Sequence, residues 1–226
     1  MSFWKKWFES SAKDPAFVQQ YLQAFEKKTD RHVPIDQLRF VVFDTETSGL
    51  ETKKARLLSL GAVVVQHDSL LVEQSLEVTA YAPSTEISDH VAIHGITRRE
   101  LESGVDEQEI LRSWFSFIGN AVLVAHHAAF DLTIVNHLSI KHFGIKHKNE
   151  IIDTAHLAKR LEHGTRLNEY IRHEDYSLDL LCERYNIRPD DRHTAAGDAY
   201  ITAKLLLKLL AHARKAGIKT YGALLR

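Results

Sequence analysis

The sequence predicts an α/β fold in which a mixed central sheet is flanked by helices, with a helical extension at the N-terminus. Three observations carry this reading. Residues 40–43, Phe-Val-Val-Phe, are apolar on both faces, as a strand in the middle of a sheet must be. Two further strand-like runs, 57–66 and 70–81, are joined across His67, Asp68 and Ser69 as a hairpin. Beyond them, short buried runs alternate with stretches of helical periodicity. Strands first, then strand and helix in alternation, imply a mixed sheet with helices on its faces.

Taken in order, Asp14-Pro15 is a helix start, with Asp as the cap and Pro at the first helical position. Phe17, Val18, Tyr21, Leu22 and Phe25 then recur at helical spacing, and the pattern stops near Lys28 and Thr29. Val33-Pro34-Ile35 reads as an extended linker, because Pro pushes its predecessor out of the helical region. The boundary between a helical extension, 1–35, and the main domain, 36–226, is placed there. Asp106 with Glu109 forms a capping box for a helix carrying Ile110, Leu111, Trp114, Phe115 and Ile118. Residues 121–125 are a buried strand, followed by helical spacing in Leu132, Val135, Asn136 and Leu138. Ile151-Ile152 suggests a short strand, and helices follow at 155–162, 178–185 and 195–215, the last stopping before Gly217.

Composition narrows the class. With 226 residues, 44% hydrophobic and 26% charged, and only 10 Gly and 4 Pro, the chain is neither disordered, collagenous nor of low complexity. Such a length buries roughly 70% of the unfolded surface without staples. A net charge of -1 argues against a general nucleic-acid coat, but residues 192–226 hold seven Lys or Arg and one acid. That stretch either tracks a phosphate backbone or places cations near a helix C-terminus. The single cysteine, Cys182, lies in an apolar helical stripe and excludes an internal disulfide or a cysteine-based zinc site. No apolar run resembles a signal peptide or reaches the roughly 20 residues of a membrane span, so a cytoplasmic protein is expected.

Three acid-bearing segments stand out. Asp44 and Glu46 sit at the end of the 40–43 strand, and alternation points residues i and i+2 to one face. About four acid-x-acid pairs are expected by chance at this composition, so the position carries more than the pairing. Two carboxylates side by side at a buried strand end repel unless something positive neutralises them. His126-His127-Ala-Ala-Phe130-Asp131 follows the 121–125 strand and puts Asp131 at or near a helix N-terminus, where an anion is tolerated or simply caps the helix. His193-Thr-Ala-Ala-Gly-Asp198 opens the last long helix. Five helical residues turn by about 500°, so His193 and Asp198 can meet only if the histidine lies in the loop before the first turn.

Together these segments resemble the DEDD exonucleases, in the DnaQ-like branch that uses histidine, which includes the proofreading subunits of bacterial replicative polymerases. The match rests on Phe43-Asp44-Thr45-Glu46-Thr47-Ser48-Gly49-Leu50, on His126 to Asp131, and on His193-x-Ala195-x-Gly197-Asp198-Ala199. Subsidiary likenesses are Ile93-His94-Gly95-Ile96-Thr97, Ile152-Asp153-Thr154 and Ser177-Leu178-Asp179-x-Leu181. The order is the family's, over about residues 39–210. His127 stands where the family usually has Asn, and Thr194, four before Asp198, excludes the tyrosine branch.

The resemblance implies a ribonuclease H-like fold and a metal-dependent 3′-5′ exonuclease that releases nucleoside 5′-monophosphates. It implies two divalent ions, Mg²⁺ or Mn²⁺, held by Asp44, Glu46, Asp131 and Asp198, and a hard all-oxygen donor set suits those metals. By the same resemblance His193 is the general base, a task for which the near-neutral range of imidazole is suited. Thr45, Thr47, Leu50, His94 and Phe130 occupy positions where relatives hold the terminal nucleotide. The expected partner is nucleic acid with a free 3′ end, single-stranded DNA favoured. An RNA-trimming relative would use the same acids, and a non-catalytic polymerase-associated protein would have lost one of them. The aromatic face of the N-terminal helix suits either folding back onto the domain or docking on a DNA polymerase or a second copy.

Overall fold

The computed structural model describes residues 15–83, 95–164 and 172–226. Five strands form one sheet in the order β3-β2-β1-β4-β5. They are β1 (Phe40–Thr47), β2 (Leu57–Gln66), β3 (Ser69–Thr79), β4 (Val122–Ala125) and β5 (Ile151–Asp153). β1–β2 and β2–β3 are antiparallel, whereas β1–β4 and β4–β5 are parallel, so the sheet is mixed as the element order predicts. The β2–β3 hairpin turns on His67 and Asp68, both at positive φ (52° and 59°), the left-handed pair that a two-residue turn requires.

The helices are α1 (Ala16–Gln23), α2 (Arg98–Glu102), α3 (Glu107–Ile118), α4 (Ala129–Phe143), α5 (Thr154–His163), α6 (Leu178–Arg184), α7 (Ala195–Lys215) and α8 (Tyr221–Leu224). Strand alternation divides the core between two faces. Phe40 and Val42 of β1 pack with Val63 and Val65 of β2 against α5, α6 and the long α7. Val41 and Phe43 pack on the other face with α1, α3 and α4. Cys182 is buried in the first of these clusters, as expected for a small hydrophobe.

Several sequence expectations change in detail. β1 runs on to Thr47 rather than stopping at Phe43, because its antiparallel pairing with β2 continues through Asp44–Gly61, Thr45–Leu60 and Glu46–Ser59. The two acids are therefore in the strand. At α3 only half of the capping box forms. Asp106 accepts from the backbone N–H groups of Gln108 and Glu109, while the Glu109 carboxylate turns to Arg112 at 3.2 Å. A full reciprocal box occurs instead at α2, between Thr97 and Glu100.

α1 ends at Gln23, and i→i+3 turns carry Phe25 and Glu26 onward. Phe25 thereby stays on the side of Tyr21, with ring centroids 5.1 Å apart. Tyr21 is 2% exposed and packs on Phe115 of α3. Its hydroxyl donates to Asn149 and accepts from the Lys148 N–H, so the buried polar tip is satisfied. Asp14 and the aromatic residues Trp4, Trp7 and Phe8 lie outside the described residues. The 33–35 segment is not an extended linker throughout: Pro34 is extended and bridges Thr220, but Ile35 opens a 3-10 turn, Ile35–Gln37, and is buried in the first core cluster, its N–H donating to Lys219 O while Tyr221 N–H donates to Val33 O.

Candidate active site

The parity of β1 sorts the site residues. Asp44 and Glu46 share the face of Phe40 and Val42, toward α7, and Thr45 takes the opposite face, toward α4. The first turn of α7 comes onto the sheet at Gly61, the β2 partner of Asp44. A side chain at Gly61 would fall 2.3 Å from the backbone of Ala195 and Ala196, so glycine is what lets the helix start seat there. Asp198, in that first turn, thereby meets the β1 acids. One carboxylate oxygen from each of Asp44, Glu46 and Asp198 lies within 4.8 Å of the others.

Asp131 sits in the first turn of α4 and is 4% exposed. Its Oδ1 accepts from the backbone N–H of Thr45 at 2.9 Å and the Thr45 hydroxyl at 2.6 Å. The Thr45 hydroxyl, a candidate nucleotide contact, is thus turned inward and orients an acid. Two helix N-termini, those of α4 and α7, point their positive dipole ends at the carboxylates. Asp153 connects this region to its neighbours, accepting from Ala128 N–H before α4 while capping α5 through Ala155 and His156.

His193 lies in the loop before α7, exposed, with its backbone left-handed at φ 66°. Its N–H donates to Asp198 Oδ2 at 3.3 Å. The geometry that the helical-turn argument demands is the one observed. His126 is turned inward, hydrogen-bonded to Thr154, and burial pushes its imidazole down to about 4, so it is neutral. His127, at φ 57°, is exposed beside it. Leu50 is 90% exposed on the loop after β1, and Thr47 donates to Gly49 O in the same loop. Phe130 is half-buried at the start of α4. His94 lies outside the described residues.

Arg192 is a member of the site that residue patterns did not single out. It donates to Asp198 Oδ1 and, through Nε and Nη2, to Asp179 at 2.7 and 3.2 Å. Its signal was only its place beside His193.

Burial and mutual repulsion raise Asp44, Glu46 and Asp131. Asp44 is held well above the usual carboxylate range, by burial first and then by Asp131, Asp198 and Glu46, with Arg192 opposing. Glu46 is pushed up to about 7 by the same causes. Asp131 rises to about 6 through burial, moderated by its Thr45 hydrogen bonds. A cluster of oxygen donors this crowded, with no thiolate, fits hard divalent cations.

A stability consequence follows with a definite sign. Glu46 and Asp131 bind protons more tightly folded than unfolded, so the metal-free protein loses stability as pH rises from about 4 to about 7. Its melting temperature should fall over that window, and Mg²⁺ or Mn²⁺ should raise it more above the window than below. A melting temperature indifferent to pH and metal alike would contradict the crowding of these acids.

A mixed five-stranded sheet with an acidic cluster at the end of its central strand defines the ribonuclease H-like nuclease class. Comparison with known proteins agrees: the exonuclease family RNase_T matches residues 41–206. The chain belongs to this exonuclease family, and the matched stretch contains Asp44, Glu46, Asp131, His193 and Asp198. It is 31% identical over 222 residues to a DNA polymerase III PolC-type of Thermotoga petrophila, covering 94% of this chain and 15% of that protein. It is 34% identical over 196 residues to a DNA polymerase III subunit epsilon-like protein of Rhodobacter capsulatus, covering 85% of this chain and 26% of that one. The chain thus spans a minor part of the length of these relatives. Exonuclease X in complex with 5′ overhanging duplex DNA superposes with a TM-score of 0.58 at 25% identity, over 80% of this chain and 93% of that one. Among the described residues, no helix is long and apolar enough to cross a membrane.

Proposed function

We propose that this chain removes nucleotides one at a time from the 3′ end of nucleic acid, with DNA as the favoured substrate, and releases nucleoside 5′-monophosphates. The observation that carries the reading is the convergence of Asp44, Glu46 and Asp198 within 4.8 Å, with Asp131 alongside. These four residues would hold two divalent ions, Mg²⁺ or Mn²⁺, which supply charge stabilisation to the attacking and leaving oxygens of the phosphodiester. Asp131, fixed through one oxygen by Thr45, keeps its other oxygen for a ligand. His193, exposed beside Asp198, takes the proton of the attacking water onto an imidazole nitrogen and passes it to solvent. Leu50, an apolar side chain standing in water on the loop after β1, packs with Phe130 against the terminal nucleotide, with Thr47 beside it.

The exonuclease unit is residues 36–226, and residues 1–35 are an appendage whose described part packs on it through Tyr21 and Phe25. The relatives' names, DNA polymerase III PolC-type and DNA polymerase III subunit epsilon-like protein, support work beside a DNA polymerase.

The test compares 3′-labelled and 5′-labelled single strands of DNA and RNA with purified protein and Mn²⁺. The 3′ label should be released first as a mononucleotide, DNA should be the better substrate, and a 3′-phosphate should block the reaction. Efficient cutting of circular single strands would identify an endonuclease instead. Preference for RNA would transfer the assignment to RNA trimming with the same chemistry.

A further inference from the structure

We propose that Asp179 and Arg192 are a positioning pair that holds the loop carrying His193 in its working conformation. The inference rests on the reading of His193 as the general base.

Arg192 commits both edges of its guanidinium. One edge is forked onto Asp179 at the start of α6, with Nε 2.7 Å from Oδ1 and Nη2 3.2 Å from Oδ2. The other edge, Nη1, donates to Asp198 Oδ1 in the first turn of α7. A planar group fixed by a fork at one end and a charged acceptor at the other cannot rotate, unlike a lysine. The Arg192 side chain is 19% exposed and that of Asp179 64%, so the guanidinium is held against the protein while its Asp179 anchor faces solvent, and the fork counts for the orientation it imposes rather than for its strength.

What the guanidinium spans is the segment between α6 and α7, and that segment needs holding. Asp191 and His193 both sit at positive φ (57° and 66°), a conformation uncommon for side-chain-bearing residues, although Asp and His reach it more readily than most. Thr194 Oγ1 donates to Asp191 O at 3.0 Å, and Asp191 O occupies the space a Cβ at Gly197 would fill, 2.0 Å away. These contacts fix the C-terminal side of the loop. The next residue after Arg192 is His193, whose N–H reaches Asp198 Oδ2. Asp198 is therefore bracketed, one oxygen by Arg192 and the other by the His193 backbone. Remove Asp179 and Arg192 keeps a single anchor, on Asp198, and the loop loses its tie to α6. Asp179 itself touches neither a β1 acid nor Asp131 by any hydrogen bond among the described residues, so its influence runs through Arg192.

A double-mutant cycle on the full chain with Mn²⁺ and a short single-stranded DNA tests this. Asp179→Ala should lower kcat about 10–100-fold, the usual cost of losing an outer-shell partner, with KM changed by less than about threefold. Asp179→Glu, which can rebuild the fork, should recover most of the rate. In a His193→Ala background Asp179→Ala should cost almost nothing more, since there is no base left to position. Calorimetric Mn²⁺ binding by Asp179→Ala should stay within about threefold of the parent protein, which also verifies folding. Losses that multiply in the double variant, a full-speed Asp179→Ala, or a loss of Mn²⁺ binding that matches the loss of rate would each overturn the pair. His193→Ala alone reads the underlying assignment: at parental rate it removes the base and this inference together, whereas a slow His193→Ala beside a fast Asp179→Ala removes the inference only.

Discussion

Replacing Asp44 with Asn should abolish measurable hydrolysis while making the metal-free protein harder to melt. The two effects have one origin. Asp44 feels the charges of Asp131, Asp198 and Glu46, and each pushes its proton affinity upward. It is the shared carboxylate of the cluster, so neutralising it removes a ligand from any cation held between the others. Charge stabilisation by bound ions is worth several kcal/mol, so the loss should be on the order of 10³-fold or more at about 1.4 kcal/mol per tenfold. The amide keeps the shape of the side chain and removes the repulsion, which is greatest where Glu46 is ionised, above about 7. Steady-state release of 5′-monophosphates and a melting curve without metal, both at alkaline pH, check the pair of effects. A turnover within about tenfold of the parent would mean that catalysis does not run through this cluster.

How legible the site was depended on whether a residue acts along the chain or across it. Asp44 and Glu46 could be read from strand parity, and His193 with Asp198 from the turn angle of a helix, because both arguments use local geometry that tertiary packing cannot change. The 57–66 and 195–215 elements were legible for the same reason, being long and strongly periodic. The extent of β1 was not, since its last four residues are polar or acidic and remain in the strand only through pairing with β2. Residues 97–100 carry the Thr-x-x-Glu spacing of a capping box, a signal as legible as that of Asp106 with Glu109. Arg192 had no local signature at all. Its partner Asp179 is thirteen residues earlier on another helix, so the charge of Arg192, one of the cations of the 192–226 stretch, is already committed within the fold.

Gly61 is the other residue that only packing reveals, and it supports the second large expectation. Gly61→Ala should leave a folded protein with kcat reduced about 100-fold. The added methyl would lie 2.3 Å from the carbonyl carbon of Ala195 and from the nitrogen of Ala196, and 2.4 Å from the Ala195 oxygen. These are backbone atoms in the first turn of a helix, so no rotamer change relieves the contact, and α7 must lift from β2 by roughly an ångström. Overpacking of this kind costs about 1–3 kcal/mol, which a domain of ordinary stability survives. The site is less tolerant, because the lifted turn carries Asp198 and is led by His193, while Asp44 stays with β1. A misplacement of about 1 Å can cost 10²-fold in rate. Gly104→Ala is the matched comparison: its methyl would meet the Ala80 backbone at 2.5 Å, a similar collision at the end of β3 rather than under α7. It should lower the melting temperature comparably and leave the folded enzyme's kcat close to the parent's. If both variants lose rate in proportion to stability, the seating of α7 on Gly61 has no special bearing on the chemistry; if only Gly61→Ala does, the glycine opposite Asp44 sets the distance between the two halves of the metal-binding cluster.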